Sequence, residues 1–226
     1  MKTVAELPAL CLDDLPAAGK TAAARSALYQ LLLGMLAYPT VDLCTAVQDG
    51  RCEKAVRTCL AHVPCDLTWT GAGFSDTLAQ LEVDYTRLFL VDPCCPLRET
   101  AYSFARQNVW EELLRFYEFF GLRLVLSEDQ LPDHLCVQLG FLHFLTFREA
   151  ECAGGGAAID FARAERDFLA RHVCRWVPKA AEGLRASLQR EKVNVTGGIS
   201  FYSSVMDLVQ DFVSADREYL ERSVPS

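Results

Sequence analysis

The side chains with the most reactive chemistry in this 226-residue sequence are its ten cysteines. No two of them have the C-x-x-C spacing of zinc ribbons or thioredoxin-like redox sites. Cys52 and Cys59 are seven residues apart, so a helix would place them on roughly one face. In a reducing compartment, cysteine is also a small apolar residue that often lies in the core. The sequence therefore predicts mostly buried thiols. A metal or disulfide role is the alternative, for example in a metal carrier that uses Cys94 and Cys95.

The four histidines do not form a recognisable catalytic or metal-binding pattern, because His62, His134, His143 and His172 are scattered over four segments. Cys136 lies two residues from His134, and residues two apart on a helix do not face each other. The sequence also lacks a P-loop, a G-x-G-x-x-G after a strand, H-E-x-x-H and G-x-S-x-G. These motifs therefore give no indication of a cofactor or a bound metal, and we expect neither.

One segment combines side chains that could bind a ligand without transforming it. It runs from Tyr85 to Tyr102 and joins an aromatic helix end to an irregular loop bounded by Pro93 and Pro96. Large apolar groups at a helix end and an adjoining loop can form a groove. The alternative is a loop whose aromatic residues simply pack into the core.

A second segment of this kind is residues 131–135, which read L-P-D-H-L. Asp133 can cap the following helix by accepting a backbone N–H bond, and His134 then lies in the first turn. The capping motif is one interpretation of this segment. The other is a hinge whose carboxylate is available to a cationic ligand.

Apolar residues follow a helical period along almost the whole chain. With caps and prolines as end signals, they predict helices over about 21–38, 42–62 with a break at Gly50, 75–89, 104–120, 134–151, 158–176, 178–190 and 201–220. Leu122 to Leu126 could form a short strand, but no partner strand is evident. We therefore predict an all-α fold, a single globular bundle of roughly eight helices.

The same pattern predicts the domain organisation. A flexible segment at 1–19 precedes a single helical domain over 20–220, which contains a hinge at 127–134 and a flexible glycine loop at 153–157. The three glycines of that loop follow no strand and have no adjacent Lys-Ser or Lys-Thr pair, so they do not form a phosphate-binding loop.

The composition and net charge argue against several further classes of protein. The net charge of −8 argues against a nucleic-acid-binding protein, which normally has a basic face. No stretch of about 18 uncharged apolar residues is present, which argues against a membrane span. The segment from Met1 to Leu15 does not have the pattern of a secretory signal. We therefore expect a cytoplasmic protein with enough apolar material, 51%, for a large core.

Five stretches, in order along the chain, resemble the TorD/DmsD/NarJ family of redox-enzyme maturation chaperones. They are R-S-A-L-Y-Q-L-L at 25–32 with Tyr38-Pro39, Y-T-R-L-F at 85–89 with 93–102, Pro132-Asp133-His134, F-L-A-R-H-V-C-R-W-V-P at 168–178, and Phe201-Tyr202. The resemblance covers about residues 20–215. The loop C-C-P-L-R-E at 94–99 is similar to that of chaperones for type II enzymes, such as ethylbenzene, selenate or chlorate reductase-like systems.

This resemblance implies a cytoplasmic all-helical chaperone without a catalytic reaction, so we expect no catalytic residue and a protein that is not an enzyme. Family members bind the precursor of a molybdenum oxidoreductase of the DMSO reductase superfamily and hold the apoenzyme until its cofactor is inserted. Some bind the twin-arginine signal peptide, and the nitrate-reductase type binds the N-terminus of the catalytic subunit. The expected partner is thus the apo form of a molybdenum-enzyme catalytic subunit or its signal peptide, and the chain is expected to be a monomer or a domain-swapped dimer. A helical adaptor or regulatory protein of the same fold is the alternative.

The resemblance also implies a peptide-binding site. Its expected residues are Tyr85, Leu88 and Phe89 in an apolar wall, Pro96, Leu97 and Tyr102 in the adjoining loop, and Asp133 and His134 at the hinge. A tryptophan common in the family at position 85 is absent. We expect the apolar part of a signal peptide to enter this groove, and Asp133 to attract the paired arginines.

Overall fold

A computed structural model describes residues 15–71, 73–103, 106–123, 131–190 and 195–224. The α-helices in these ranges are α1 (Ala17–Leu36), α2 (Val41–Gln48), α3 (Arg51–Leu60), α4 (Leu78–Tyr85), α5 (Arg106–Phe119), α6 (Leu135–Glu151), α7 (Ala157–Phe168), α8 (Cys174–Arg190) and α9 (Gly197–Ser223). Two π-helical turns, Thr86–Leu90 and Leu169–Val173, follow α4 and α7, and Glu99–Ala101 is a 3₁₀ turn. The predicted all-α bundle is confirmed.

The bundle is organised around the pair α1 and α6, which pack along each other over most of their length. The long helix α9 packs on α8 and also contacts α1, α4 and α7. Its apolar face is fully buried, as Val205, Val209 and Phe212 show. By length and composition, no single described helix could cross a membrane, and α1 with α2 passes that test only as a pair bent by 112°.

Several predicted helix limits are wrong by a few residues. Helix α1 begins at Ala17, inside the segment that was expected to be flexible. Helix α2 begins at Val41, one residue earlier than predicted, and is capped by Thr40, whose hydroxyl accepts the Leu43 N–H at 3.2 Å. Helix α4 is capped in the same way by Thr77, the residue just before its first turn. The short side chain of a cap must sit just outside the first turn to reach an N–H inside it.

The predicted break before Pro178 is wrong, because α7, the second π-turn and α8 form one uninterrupted helical stretch. Proline lacks an N–H, so the carbonyl of Cys174 loses its donor four residues later. Cys174 directly follows the π-turn and has ψ of −8°, so the helix is already distorted there. A proline at this point therefore costs less than it would in a regular helix.

Some predictions fall outside the described residues. Residues 1–14 of the expected flexible segment, the predicted helix start at Phe104, residues 124–126 of the predicted strand and residues 127–130 of the hinge stay predictions. The glycine loop at 153–157 is largely a connection between α6 and α7. Gly154 has φ of +91°, a conformation that favours glycine.

The start of α9 was also predicted wrongly, at Phe201 instead of Gly197. The second of its two glycines, Gly198, allows α9 to approach α4 closely. A Cβ on Gly198 would clash with the carboxylate of Asp84 and lie 3.1 Å from Leu81 Cδ1. The Asp84 carboxylate is held in place because it accepts the Thr196 hydroxyl at 2.6 Å.

We expect Gly198→Ala to destabilise the protein by about 1–3 kcal/mol, because the methyl group must displace a buried carboxylate. The matched control is Gly34→Ala in α1, where a Cβ would meet nothing within 4 Å. There we expect a gain of about 0.5–1 kcal/mol, since alanine favours helix more than glycine does. Denaturant unfolding of both variants checks this pair, and a gain at both positions would contradict the close approach of α9 to α4.

A buried ionic cluster joins four helices of the bundle. The Arg25 guanidinium, with no exposed surface, pairs with Asp216 at 2.5 Å, with Glu149 at 2.7 Å and with Glu165. Tyr29 donates its hydroxyl to Asp216 at 2.6 Å. Burial raises the pKa of Glu165 well above its ordinary value, and it raises the pKa of Glu149 in the same direction. Three carboxylates thus share one guanidinium in a site closed to water, which favours the protonated form of Glu165.

This cluster predicts the direction of a pH dependence. Because the pKa of Glu165 is raised in the folded state, the folded protein binds more protons than the unfolded chain above the ordinary carboxyl pKa of 4.5. The free energy of unfolding must then decrease as the pH rises through the folded-state pKa. We expect Glu165→Gln to remove part of this decrease, whereas the exposed control Glu111→Gln should not. Urea unfolding at several pH values measures it, and parallel curves for all three proteins would show that the cluster holds no extra proton.

Candidate functional site

A cavity of about 560 Å³ lies beside the end of α4. Four segments form it: the chain after α1, the π-turn after α4, the loop at 93–101, and residues 131–134. The lining residues are Tyr38, Tyr85, Phe89, Leu90, Pro93, Pro96, Leu97, Arg98, Thr100, Ala101, Leu131 and His134. Most of these side chains are aromatic or aliphatic, so the cavity is suited to apolar groups.

The aromatic side of the cavity is rigid. Tyr85 is 4% exposed and donates its hydroxyl to the carbonyl of Leu36, one of the last carbonyls of α1, at 3.0 Å. Its ring contacts Phe89 at 5.0 Å, Tyr202 at 5.5 Å and Tyr38 at 5.5 Å between centroids. Edge-to-face contacts of this kind fix ring orientations. Helix α9 therefore supports the aromatic wall through Tyr202.

The opposite wall is a loop held by backbone hydrogen bonds to residues 133–135. Leu135 N–H donates to the Leu97 carbonyl at 2.9 Å, and Glu99 N–H donates to the Asp133 carbonyl at 3.0 Å. Arg98 and His134 form an isolated antiparallel bridge at the same place. The hinge segment and the proline-bounded loop thus form one unit in the structure.

The predicted role of Asp133 as the cap of α6 is wrong. His134 is the N-cap, and its Nδ1 accepts the Cys136 N–H at 3.2 Å. The Asp133 side chain has no exposed surface, and its Oδ2 accepts both the N–H and the hydroxyl of Thr100, at 3.2 and 2.5 Å. Arg98 adds an ion pair at 3.4 Å. The carboxylate thus holds the loop and is already paired with a cation, Arg98. That it attracts the arginines of a signal peptide stays a prediction.

Five of the eight predicted site residues line the cavity, namely Tyr85, Phe89, Pro96, Leu97 and His134. Leu88, Tyr102 and Asp133 do not line it. Leu88 is 2% exposed and packs into the core, and Tyr102 stacks on Trp176 with ring centroids 5.5 Å apart.

Sequence reasoning missed the exposed rim of the cavity. Tyr38 and Leu90 line the cavity and remain 51% and 53% exposed, and the adjoining Val91 is 68% exposed. The apolar run at 88–91 gave a signal for this rim, but periodicity alone assigns such residues to the core. Large exposed apolar side chains beside a cavity are typical of a surface that binds another chain.

The described lining offers no free acidic group. Among the described lining residues there is no carboxylate, and Arg98 and His134 are the groups that can carry charge apart from the tyrosine hydroxyls. A pair of arginines would therefore find no counter-ion on these walls. The lining favours an uncharged apolar segment.

The cysteines do not provide reactive chemistry in this part of the protein. The nine cysteines in the described ranges are free thiols. Burial raises the pKa of Cys95 to about 12 and that of Cys136 to about 12, which keeps both protonated. In the same ranges no group of three or more His, Cys, Asp or Glu side chains could hold a metal ion. The metal-carrier alternative thus finds no site in the described part of the chain.

Comparison with known proteins shows what this fold and cavity belong to. The family described as nitrate reductase delta subunit matches residues 53–182. The perchlorate reductase assembly chaperone protein of Dechloromonas aromatica is 30% identical over 215 residues, which cover 86% of this chain and 89% of the relative.

Two further relatives match a shorter stretch. The chlorate reductase assembly chaperone protein of Ideonella dechloratans and the selenate reductase assembly chaperone protein of Thauera selenatis are each 43% identical over 83 residues, 36% of this chain and 43% of the relative. No solved structure matches the chain at a significant level. The family consists of assembly chaperones, so the prediction that the protein is not an enzyme is confirmed. The chain belongs to the nitrate reductase delta subunit family of assembly chaperones, and its resemblance to the TorD/DmsD/NarJ family is confirmed.

Proposed function

We propose that this assembly chaperone acts in the cytoplasm on the apo form of a molybdenum-containing reductase, and that it holds an apolar segment of the catalytic subunit in the cavity beside α4. The observation that carries the proposal is the apolar lining with its exposed rim at Tyr38, Leu90 and Val91. The named relatives assemble perchlorate, chlorate and selenate reductases, which supports a reductase of that kind as the client.

The size of the cavity supports a short segment as the occupant. Its volume of about 560 Å³ falls in the range of roughly 300–1,000 Å³ found for ligand pockets. Two or three apolar side chains would fit, and each fully buried one would contribute about 1.5–3 kcal/mol. After the cost of association, such a site binds reversibly, as a chaperone must in order to release its client.

For a client with a twin-arginine signal, we propose that the apolar part of the signal enters the cavity and the arginines stay outside it. The described lining residues include no carboxylate, and the buried Asp133 behind them is already paired with Arg98, so the walls offer no free counter-ion to an arginine. The acidic balance of the whole chain, −8, would still attract the arginines at longer range and raise the association rate. Replacing both arginines of such a peptide by glutamine should therefore slow association more than it speeds dissociation.

The test of the function is site-specific photocrosslinking in cells that express the reductase. A photoreactive phenylalanine analogue at Leu90 should crosslink the reductase catalytic subunit, and mass spectrometry should locate an apolar segment of it. The matched control is the same analogue at Phe119, which is 83% exposed and does not line the cavity. If both positions capture the same proteins, or if Leu90 captures an unrelated regulator, the helical-adaptor alternative replaces this proposal.

A further inference from the structure

A chain of buried hydrogen bonds reaches the loop wall of the cavity from the protein interior. The carboxylate of Glu99 accepts Gln138 Nε2 at 2.5 Å and lies 3.1 and 3.2 Å from His172 Nδ1. Gln138 Oε1 accepts Trp176 Nε1 at 3.0 Å. These four residues are at most 5% exposed. They connect the 3₁₀ turn, α6, the second π-turn and α8.

Trp176 fixes the direction of the two hydrogen bonds that run from it through Gln138 to Glu99. Trp176 Nε1 can only donate, so the Gln138 oxygen must face it and the Gln138 amide nitrogen must face Glu99. His172 contributes the second donor, because Nδ1 can contact the carboxylate favourably only when it carries hydrogen. Two donors therefore converge on Glu99, and a carboxylate is the group that can accept from both with its two oxygens.

The backbone of Glu99 belongs to the loop wall. Arg98, Thr100 and Ala101, its immediate neighbours, all line the cavity. Asp133 holds this turn from one side through the N–H and hydroxyl of Thr100. The Glu99 side chain holds it from the interior, where the low dielectric makes an unmade hydrogen bond costly.

The position of His172 depends on the second π-turn, Leu169–Val173. The wider turn shifts the register of the stretch from α7 to α8, and the ring packs edge-on to Phe116 with centroids 5.6 Å apart. Phe168 contacts the other side of the ring at 5.2 Å. With 1% of its surface exposed, His172 has little freedom to move away from Glu99.

We propose that Glu99 is a positioning residue for the client cavity, and that the directional chain from Trp176 through Gln138, together with His172, sets where Thr100 and Ala101 lie. The inference rests on the proposed function for the identity of the occupant. The position of the wall itself is measurable without any client.

The experiment is amide hydrogen exchange of the unliganded full chain, read at the N–H group of Thr100 and compared with amides in the core of α9. Glu99→Gln keeps the shape of the side chain but places an amide nitrogen against one of the two donors. We expect exchange at Thr100 to accelerate about tenfold relative to amides in the core of α9. The control Glu111→Gln, on the exposed face of α5, should change neither region.

A second substitution distinguishes positioning from simple loss of packing. Trp176→Phe removes the donor that fixes Gln138, so that Gln138 is free to rotate and offer its oxygen to the amide introduced by Glu99→Gln. In the Trp176→Phe background, Glu99→Gln should accelerate exchange at Thr100 by less than about threefold. If the two substitutions instead add, or if exchange at Thr100 rises only as much as exchange in α9, Glu99 is an ordinary core residue and the proposal fails.

The neutral fluorophore N-phenyl-1-naphthylamine then tests the cavity itself. Glu99→Gln should weaken its binding about three- to tenfold, and Trp176→Phe should reduce that effect. Failure of the photocrosslinking with these exchange results intact would overturn the proposed function and leave the positioning role in place. Unchanged exchange at Thr100 with successful crosslinking would do the reverse.

Discussion

Replacing Arg25 by methionine is expected to cost about 3–5 kcal/mol of folding free energy, a large share of the roughly 5–15 kcal/mol that stabilises a typical domain. The guanidinium has no exposed surface and is the shared partner of Asp216, Glu149 and Glu165. Methionine fills a similar volume but neutralises none of these carboxylates. The loss would therefore come from uncompensated buried charge and not from a cavity.

The four residues lie on α1, α6, α7 and α9, so the cluster also fixes how these helices meet. Protonation of the carboxylates can offset part of the loss, because burial already raises the pKa of Glu165. We therefore expect Glu165→Gln to restore some stability to Arg25→Met.

The control for Arg25→Met is Arg217→Met, which removes a pair with Glu221 in which both side chains are more than 40% exposed. Exposed pairs of this kind contribute less than about 1 kcal/mol. Chemical denaturation of both variants compares them at one pH. A loss at Arg25 no larger than that at Arg217 would mean that the three carboxylates are solvated or protonated without the guanidinium.

The sequence pattern predicted which segments are helices, but it did not predict which buried side chains pair with one another between helices. Apolar residues at spacings of three and four define a face wherever it is buried, so α6 was predicted almost to its first and last residue. In the sequence, Arg25 looks like an ordinary charged residue on the solvent-exposed face of a helix, although in the structure it is fully buried. Its partners are 124, 140 and 191 residues away, and no local signal in the sequence announces such a contact.

The candidate site shows the same division. The segment that contains Tyr85 and Phe89 could be singled out because an aromatic helix end beside prolines can form a groove. The choice of these two residues came from the family resemblance. The role of Asp133 could not, because a carboxylate before a helix fits a cap equally well. Which N–H it accepts depends on Thr100, 33 residues earlier, and on a backbone bridge between the two segments.

The rim of the cavity gives the second prediction of large effect. Leu90→Glu is expected to weaken binding of the reductase segment about 10- to 100-fold, because it removes apolar contact area and places a charge against an apolar chain. Leu90 is 53% exposed, so the free energy of unfolding should change by no more than about 0.5 kcal/mol. Calorimetry with the crosslinked segment as a synthetic peptide measures the affinity, and thermal unfolding measures the stability.

Leu90 is a better probe than Phe89, although both line the cavity. Phe89 is 5% exposed and contacts Tyr202 of α9, so its truncation would damage the core and binding together. Phe119→Glu is the matched control, since it places the same charge at an exposed apolar position away from the cavity. Equal affinities for the Leu90 and Phe119 variants would show that the client binds elsewhere, because a charge on the rim of an occupied apolar cavity must be desolvated when the client is bound.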